Sequence, residues 1–210
     1  FLGKLLNSDV GSYNVIIIAT DDSGAFTSQD FILEVTNIND DPVAVDVIPD
    51  QIFEEDIELS FFVDQYFSDD DGDILTFTTV DLPGDLILDS LTGEISGIPL
   101  NSDIGTYFVN ITATDTSDTF TSQMFSLEIT NVNDSPEPID VIPNQTFEED
   151  TELSFFVNQY FFDEDGDTLA FTTTDLPDSL SLNLETGEIL GTPLNDDLGS
   201  YFVNVTATDA

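Results

Sequence analysis

Hydrophobic and polar residues alternate along most of the chain, with the period of two that a half-buried β-strand requires. The strongest run is Tyr107–Thr114, in which every second residue starting from Tyr107 is apolar. Shorter alternating runs occupy Glu58–Val63, Leu75–Thr78 and Phe125–Ile129. None of the remaining stretches repeats its apolar residues with the helical period of 3.6. The pattern therefore predicts an all-β fold.

Turn residues separate these runs at the spacing of a β-sandwich, for example at Leu82-Pro83-Gly84 and Thr92-Gly93. The strongest run begins within Asp103-Ile104-Gly105-Thr106-Tyr107. This Asp-x-Gly-x-Tyr spacing is that of the tyrosine corner of immunoglobulin-like sandwiches, where the Tyr hydroxyl bonds back to the chain. The motif recurs at Asp9–Tyr13 and Asp197–Tyr201. We therefore predict seven-stranded Greek-key β-sandwiches of the immunoglobulin type.

The sequence repeats with a period of 94 residues, because residues 48–115 and 142–209 align without a gap and are identical at 47 of 68 positions. A period of this length is that of a whole domain. Asn39-Asp40 and Asn133-Asp134, each followed closely by a proline, mark the boundaries. We expect one sandwich per repeat and a window on a longer protein. The predicted domains are the C-terminal half of a repeat (1–41), a complete repeat (42–135) and a repeat lacking its last strand (136–210).

The chain is strongly acidic, with 44 acidic residues against a single basic one, Lys4, and a formal net charge of −43. No Lys or Arg cluster exists to replace the counterions of a phosphate backbone, so we exclude nucleic acid as a partner. No apolar run approaches the roughly 20 residues of a membrane-spanning helix, so we expect no membrane insertion in these residues. Because 40% of residues are hydrophobic, 18 of them Phe, we expect a folded chain whose charge is offset by cations.

The composition also limits the possible chemistry. There is no His, Cys or Arg, and Lys4 lies outside the complete repeat, so the usual pairs of nucleophile and general base cannot be built. Paired carboxylates could still hydrolyse a glycosidic bond. The acids cluster at turns and boundaries, however, and we expect a protein that is not an enzyme.

The acids suggest a cation site. Phe53-Glu54-Glu55-Asp56, Asp69–Asp73 and Asp115 all recur 94 residues later. Ca²⁺ takes 6–8 oxygen ligands, and such segments offer several carboxylates each. Two carboxylates about 4 Å apart repel by roughly 4 kcal/mol at an effective dielectric near 20, so crowding favours a bound cation. An EF-hand is excluded, because Gly72 at its sixth position would place Phe67 first and Thr78 twelfth.

In their order and spacing these motifs resemble cadherin-type repeats. They resemble more closely the dystroglycan-type cadherin-like, or Ig-like, repeats that occur in tandem in large bacterial and archaeal surface proteins. The similarity covers the whole chain. Its carriers are Thr36–Pro42, Phe53–Asp56, Asp69–Asp73, Leu88-Asp89, Thr92-Gly93, Leu100–Tyr107 and Ala113–Asp115. The resemblance implies cadherin-like sandwiches at the cell surface or outside the cell, with Ca²⁺ at the junctions between repeats.

The resemblance also implies which residues bind the metal. At the first junction they are Asp9, Asn39, Asp40, Asp69, Asp71, Asp73 and Asp115. At the second they are Glu54, Glu55, Asp103, Asn131, Asn133, Asp134, Asp163, Asp165, Asp167 and Asp209. Cadherin linkers usually begin with an acid where this chain has Asn37 and Asn131, so the number of ions per junction stays open.

We therefore expect an extracellular structural or adhesive module, a stalk or filament stiffened by Ca²⁺ at its junctions. Its partners would be neighbouring repeats of the same chain. Two alternatives stay open: a Ca²⁺-dependent module that binds a cell-surface polysaccharide or protein, and a filament subunit that associates with identical chains. The acids could also be turn formers and solubilising groups without a metal site. Asn110, Asn144 and Asn204 begin possible N-glycosylation triplets.

Overall fold

The computed structural model describes residues 3–209. They form two compact units, whose boundary lies between Thr130 and Asn131. Within the described residues the regular structure is β-strand, with five 3₁₀ turns of three residues each and no α-helix. The all-β prediction is confirmed. The 3₁₀ turns are Asn7–Asp9, Asp64–Tyr66, Asn101–Asp103, Asn158–Tyr160 and Asn195–Asp197.

Unit 1 begins with a two-stranded antiparallel hairpin of β1 (Gly11–Thr20) and β2 (Phe26–Val35). The register runs from Gly11 opposite Val35 to Thr20 opposite Phe26. Most residues of both strands are exposed.

The rest of unit 1 contains the strands of the predicted complete repeat, which form three small sheets. The strands are β3 (Val43–Ala44), β4 (Gln51–Glu54), β5 (Leu59–Phe62), β6 (Phe67–Ser68), β7 (Thr76–Val80), β8 (Leu86–Leu88), β9 (Glu94–Gly97), β10 (Gly105–Thr114) and β11 (Phe120–Thr130). One sheet has the order β4-β11-β10-β7, the second β5-β9-β8, and β3 pairs with β6. All pairings are antiparallel except that of β4 with β11, which is parallel.

A single core lies between the sheets of the complete repeat. As the alternation predicted, Val109, Ile111 and Ala113 of β10 are buried, while Asn110 and Thr112 are only half-buried. From the opposite sheet, buried side chains of β5, β8 and β9 contact the same cluster. The sandwich is therefore confirmed, with its strands divided into nine segments rather than seven. The two-residue pair β3–β6 accounts for the two additional segments.

Two local features fix the geometry of the repeat. The Tyr107 hydroxyl donates a 3.0 Å hydrogen bond to the Asp103 carbonyl, and Tyr13 donates one of 2.9 Å to Asp9. These two predicted tyrosine corners are present. Gly97 ends β9 with a φ of +149°, and a Cβ there would overlap the carbonyl oxygen of Asp85. Only glycine fits this close approach without strain.

Unit 2 has strands that correspond to strands of the complete repeat, but its residues Gln145–Glu148, the counterpart of β4, form no strand. Its strands are β12 (Glu137–Pro138), β13 (Leu153–Phe156), β14 (Phe161–Phe162), β15 (Ala170–Thr174), β16 (Leu180–Leu182), β17 (Glu188–Gly191) and β18 (Asn204–Thr208). The pairings are β12–β14, β13–β17–β16 and β15–β18. Its buried core consists of Leu153, Val157, Phe171 and Ile189.

Candidate metal centre

In the acidic turn after β6, Asp69–Asp73, backbone N–H groups donate hydrogen bonds to the first carboxylate, that of Asp69. Gly72 has a φ of +77°, a conformation that glycine adopts without strain. This turn directs two backbone N–H groups at Asp69: Asp71 N lies 2.9 Å and Asp73 N 3.3 Å from Asp69 Oδ1. Three carboxylate oxygens, one each from Asp69, Asp73 and Asp115, lie within 4.8 Å of one another.

The linker before the complete repeat is hydrogen-bonded to this acidic turn. The backbone N–H of Asp40 donates to Asp71 Oδ2 at 2.7 Å, and Asn39 Nδ2 donates to Asp115 Oδ2 at 2.9 Å. Asn7 Nδ2 in turn donates to Asp40 Oδ2 at 2.7 Å. Residues 71 and 115 belong to two separate loops, so the linker joins both loops at one end of the sandwich.

Asp115 is the most strongly hydrogen-bonded acid of the group. It follows β10 and is 5% exposed. Burial raises the pKa of its carboxyl group, but hydrogen bonds outweigh this effect and hold the pKa at about 2. The donors are the Thr119 hydroxyl, Asn39 Nδ2 and the backbone N–H groups of Thr119 and Ser117. Asp115 is therefore ionised at any ordinary pH.

Other carboxylate oxygens in the group lack such donors. Asp69 Oδ2 and Asp71 Oδ1 are buried and, within the part of the chain that the structure describes, accept no hydrogen bond. A buried polar atom without a partner costs about 1–3 kcal/mol, and more if it is charged. A cation bound beside them would offset this cost.

Unit 2 repeats this arrangement with its own linker. Asp134 N donates to Asp165 Oδ2 at 2.7 Å, and Asn133 Nδ2 donates to Asp209 Oδ2 at 2.8 Å. Oxygens of Asp163, Asp165 and Asp167 lie within 4.8 Å of one another. Asp163 is 5% exposed, and its Oδ2 accepts no hydrogen bond among the described residues.

The donor atoms fit a hard cation. Every side chain in the two groups offers oxygen, from carboxylates or amides, with no nitrogen or sulfur ligand. Ca²⁺ prefers such ligands, and Mg²⁺ accepts them only in near-ideal octahedral geometry. A site whose ligands come from a turn, a linker and the end of a strand suits the irregular coordination of Ca²⁺ better than the octahedral coordination of Mg²⁺.

Two of the remaining predicted ligands make local hydrogen bonds. The carboxylates of Asp9 and Asp103 accept the backbone N–H of Leu6 (2.9 Å) and Leu100 (3.3 Å), and so close their own 3₁₀ turns. Glu54 is exposed at the end of β4, Glu55 is fully buried, and Asn131 is exposed. No observation tests whether Asp9, Glu54, Glu55, Asp103 or Asn131 binds a metal, and these assignments stay predictions.

Three residues that the sequence reasoning missed also belong to the first group. Thr119 donates to Asp115 at 2.5 Å, and Thr116 donates to Asp73 Oδ2 at 2.8 Å. The third is Asn7, which bonds to Asp40. Asp115-Thr-Ser-Asp-Thr119 has the spacing of an Asx turn, so Thr119 could have been predicted from the sequence. Asn7 could not, because nothing in the sequence places it beside the linker.

Comparison with known families identifies these repeats. A family model described as "Putative Ig domain" matches residues 41–130 and again residues 135–210. The chain belongs to this family. This membership agrees with the sandwich fold. It also agrees with the sequence resemblance to tandem Ig-like and cadherin-like repeats.

One protein similar to these Ig-like repeats is an adhesin. The chain is 30% identical over 137 residues to the "Serine-rich adhesin for platelets" of Staphylococcus aureus (strain USA300), which covers 65% of this chain and 6% of the adhesin. The chain thus spans a small fraction of that relative's length.

Two solved structures share the fold. "PcdhgB3 EC1-4" matches 99% of this chain and 55% of its own at 19% identity, with a TM-score of 0.60. "Protocadherin Gamma B2 extracellular cadherin domains 1-5" matches 94% and 42% at 19% identity, with a TM-score of 0.54. An endo-fucoidan hydrolase of glycoside hydrolase family 107 reaches a TM-score of only 0.42. The cadherin-like fold is therefore shown, and the hydrolase similarity carries no argument about activity.

The described residues contain no helix that is long and apolar enough to cross a membrane.

Proposed function

We propose that this chain is a non-enzymatic extracellular module, and that Ca²⁺ bound at each linker fixes the orientation of consecutive Ig-like repeats in a stalk. The observation that carries the proposal is the repeated group of linker residues and loop acids, in which Asp69 Oδ2, Asp71 Oδ1 and Asp163 Oδ2 are buried and accept no hydrogen bond from the described residues. The family membership and the adhesin relative support an adhesive role.

The proposed first site uses Asn39, Asp40, Asp69, Asp71, Asp73 and Asp115. Its linker residues lie beside two loops of the following repeat. A cation at this position would attract the linker and both loops at once, which limits rotation of the chain at residues 39–42. Asn133, Asp134, Asp163, Asp165, Asp167 and Asp209 form the corresponding proposed site in unit 2.

The free energy of binding is the source of stiffness. An ion that binds the ordered linker but not a flexible one stabilises order by RT ln(1 + [Ca²⁺]/Kd), which is about 1.4 kcal/mol per site at tenfold Kd. Extracellular Ca²⁺ modules bind with Kd values of roughly 10⁻⁴–10⁻³ M. Millimolar Ca²⁺ outside a cell would therefore stiffen the chain, and the much lower level inside would not.

The test is limited proteolysis combined with calorimetric titration. We expect Ca²⁺ to slow cleavage at residues 39–42 and 133–136, and chelation to restore it. Asp71→Asn should weaken both binding and protection at the first linker. Asp70→Asn is the matched control, because Asp70 is exposed in the same turn and outside the acidic group. Equal cleavage with Ca²⁺ and with chelator would show the proposal to be wrong.

A further inference from the structure

The chain enters and leaves the complete repeat at opposite ends of β11. At the entry, the linker residue Asn39 donates from Nδ2 to Thr119 Oγ1 at 3.3 Å, and Thr119 immediately precedes β11. The chain leaves the sandwich at Thr130, the last residue of the same strand. The eleven residues of β11 rise about 3.3 Å each, which places the entry and the exit far apart. Tension applied through the two linkers is therefore directed along β11.

The chain after the entry linker runs beside β11 and in the same direction. β4 is parallel to the second half of β11, from Gln51 opposite Leu127 to Glu54 opposite Thr130. Beyond β4, the backbone N–H of Glu55 donates to the Thr130 carbonyl at 3.1 Å. β4 is therefore bonded to the part of β11 that is nearest to the exit from the repeat.

Side chains continue this row of hydrogen bonds toward the entry. The backbone N–H of Ser126 donates to Asp50 Oδ1 at 2.8 Å. Gln123 bonds to the backbone through both atoms of its amide: Nε2 donates to the Asp46 carbonyl at 2.8 Å, and Oε1 accepts from Ile48 N at 3.3 Å. The segment that precedes β5 is thus bonded to β11 over most of the length of that strand.

We propose that this row, formed by residues 46–55 and 123–130 and here called the clamp, resists the tension that a stalk experiences along its length. The inference rests on the proposed function only in that a stalk is pulled at its ends. Such tension pulls the start of β4 toward the entry and the end of β11 toward the exit. Because the two strands are parallel, they must slide past each other, and all hydrogen bonds of the clamp are loaded together. Strands that peeled apart would instead break these bonds one after another.

Sliding would also disrupt the core. Ile48, near one end of the clamp, is 2% exposed and belongs to the buried cluster, and Phe53 of β4 packs against that cluster. On β11, Leu127 and Ile129 are 2% and 1% exposed. A slide of one residue would turn the side chains of β4 to the opposite face of the sheet, so the nearest displaced register does not preserve these contacts. Hydrogen bonds and core contacts must therefore be lost in one step.

Pulling single molecules of the full chain in two directions tests the clamp. The chain contains no Cys, so a pair of introduced Cys residues defines where the handles are attached. Asp41→Cys with Asn131→Cys loads the clamp by sliding. Ile57→Cys with Asn131→Cys pulls on the same end of β4 and β11 and peels them apart. All three positions are exposed.

At the same constant force, the repeat should survive about tenfold longer in the sliding direction than in the peeling direction, because several hydrogen bonds must then break together. Equal lifetimes in the two directions would overturn the proposal. Chelator is present throughout, so the result does not depend on Ca²⁺ binding at the linkers. Failure of the clamp and failure of the proposed Ca²⁺ sites can therefore be told apart.

Gln123→Ala gives a second test, because Gln123 lies at the entry end of the clamp. In the sliding direction all bonds share the load, so this variant should unfold about tenfold faster at constant force. In the peeling direction the bonds near Thr130 break first, and the rate should change little. The matched control is Gln65→Ala, since the Gln65 amide also donates to a backbone carbonyl, that of Phe62, but outside the clamp. If Gln123→Ala accelerated unfolding equally in both directions, Gln123 would only stabilise the fold and the proposal would be wrong.

Discussion

Ser179 donates a 2.5 Å hydrogen bond from its hydroxyl to Asp197 Oδ2. The corresponding residues of the complete repeat are two acids, Asp85 and Asp103. A hydroxyl is a donor, whereas two ionised carboxylates repel. The hydrogen bond with Asp103 is the main reason that the pKa of Asp85 is raised above 3.8, with burial and repulsion adding to it. In unit 2 the Ser179 hydroxyl instead lowers the pKa of Asp197.

Asp85→Ser should therefore stabilise unit 1 at neutral pH. A raised pKa in the folded state means that ionised Asp85 destabilises the fold at pH values above that pKa. The gain should shrink as the pH falls through the raised pKa of Asp85 to below 3.8, because Asp85 of the wild type then becomes neutral. Urea denaturation at pH 7 and pH 3 measures this difference. The reciprocal variant Ser179→Asp should destabilise unit 2 at pH 7. If both variants had the stability of the wild type at pH 7, this interpretation would be contradicted.

Asp115 should contribute stability that disappears in acid. Its folded-state pKa of about 2 lies below the ordinary 3.8, so its contribution is present above pH 3.8 and is lost as the pH falls through 2. Acid also reduces the repulsion between the other carboxylates, in the wild type and in Asp115→Asn alike. The quantity to measure is therefore the difference in Tm between these two proteins, with chelator present. That difference should narrow between pH 4 and pH 2. Asp118 is an exposed acid of the same turn, and Asp118→Asn should have about the same Tm as the wild type at every pH.

Asp163→Asn should have opposite effects with and without Ca²⁺. Two ionised carboxylates 4.8 Å apart repel by roughly 3.5 kcal/mol at an effective dielectric near 20, so removing one charge should raise Tm in chelator. The same change removes a proposed ligand and should reduce the rise in Tm that Ca²⁺ produces. Glu164→Gln, which lies in the same turn but is exposed, should change neither value much. A variant that loses stability in chelator would refute this account.

Gly97→Ala should destabilise unit 1 by about 1–3 kcal/mol. The substitution forces a residue with a Cβ into a φ of +149° and against the Asp85 carbonyl oxygen. Gly84→Ala is the control, since a Cβ there meets no atom within 4 Å. Hydrogen exchange of β8 and β9 measures the local loss. Similar protection in both variants would show that this close approach is unimportant.

The fold was largely predictable because its main signal is local. The alternation in β10 and the Asp-x-Gly-x-Tyr motif both report on strand and corner geometry within ten residues, and the structure confirms both. The two-residue strands β3 and β6 were missed, because a pair so short leaves no alternation to detect.

The candidate site was predictable only in part. The acids of residues 69–73 come together through a single turn, so their sequence spacing was informative. Contacts across long separations were not: Asn39 meets Asp115 at a separation of 76 residues, and Asn7 meets Asp40 at 33. Only the resemblance suggested the first of these groupings, and nothing suggested the second. Glu55 is the clearest case of a feature that the sequence could not predict, because nothing in the sequence indicates that this side chain is completely buried.

The hydrogen bonds from Asn133 to Asp209 and from Asp134 to Asp165 have an evolutionary consequence. A gene duplication that begins at the linker copies the linker and both loops together. Each added block of 94 residues then arrives with its own intact group of acids, whatever repeat precedes it. The length of such a protein could change by whole blocks during evolution without any new contact having to be selected.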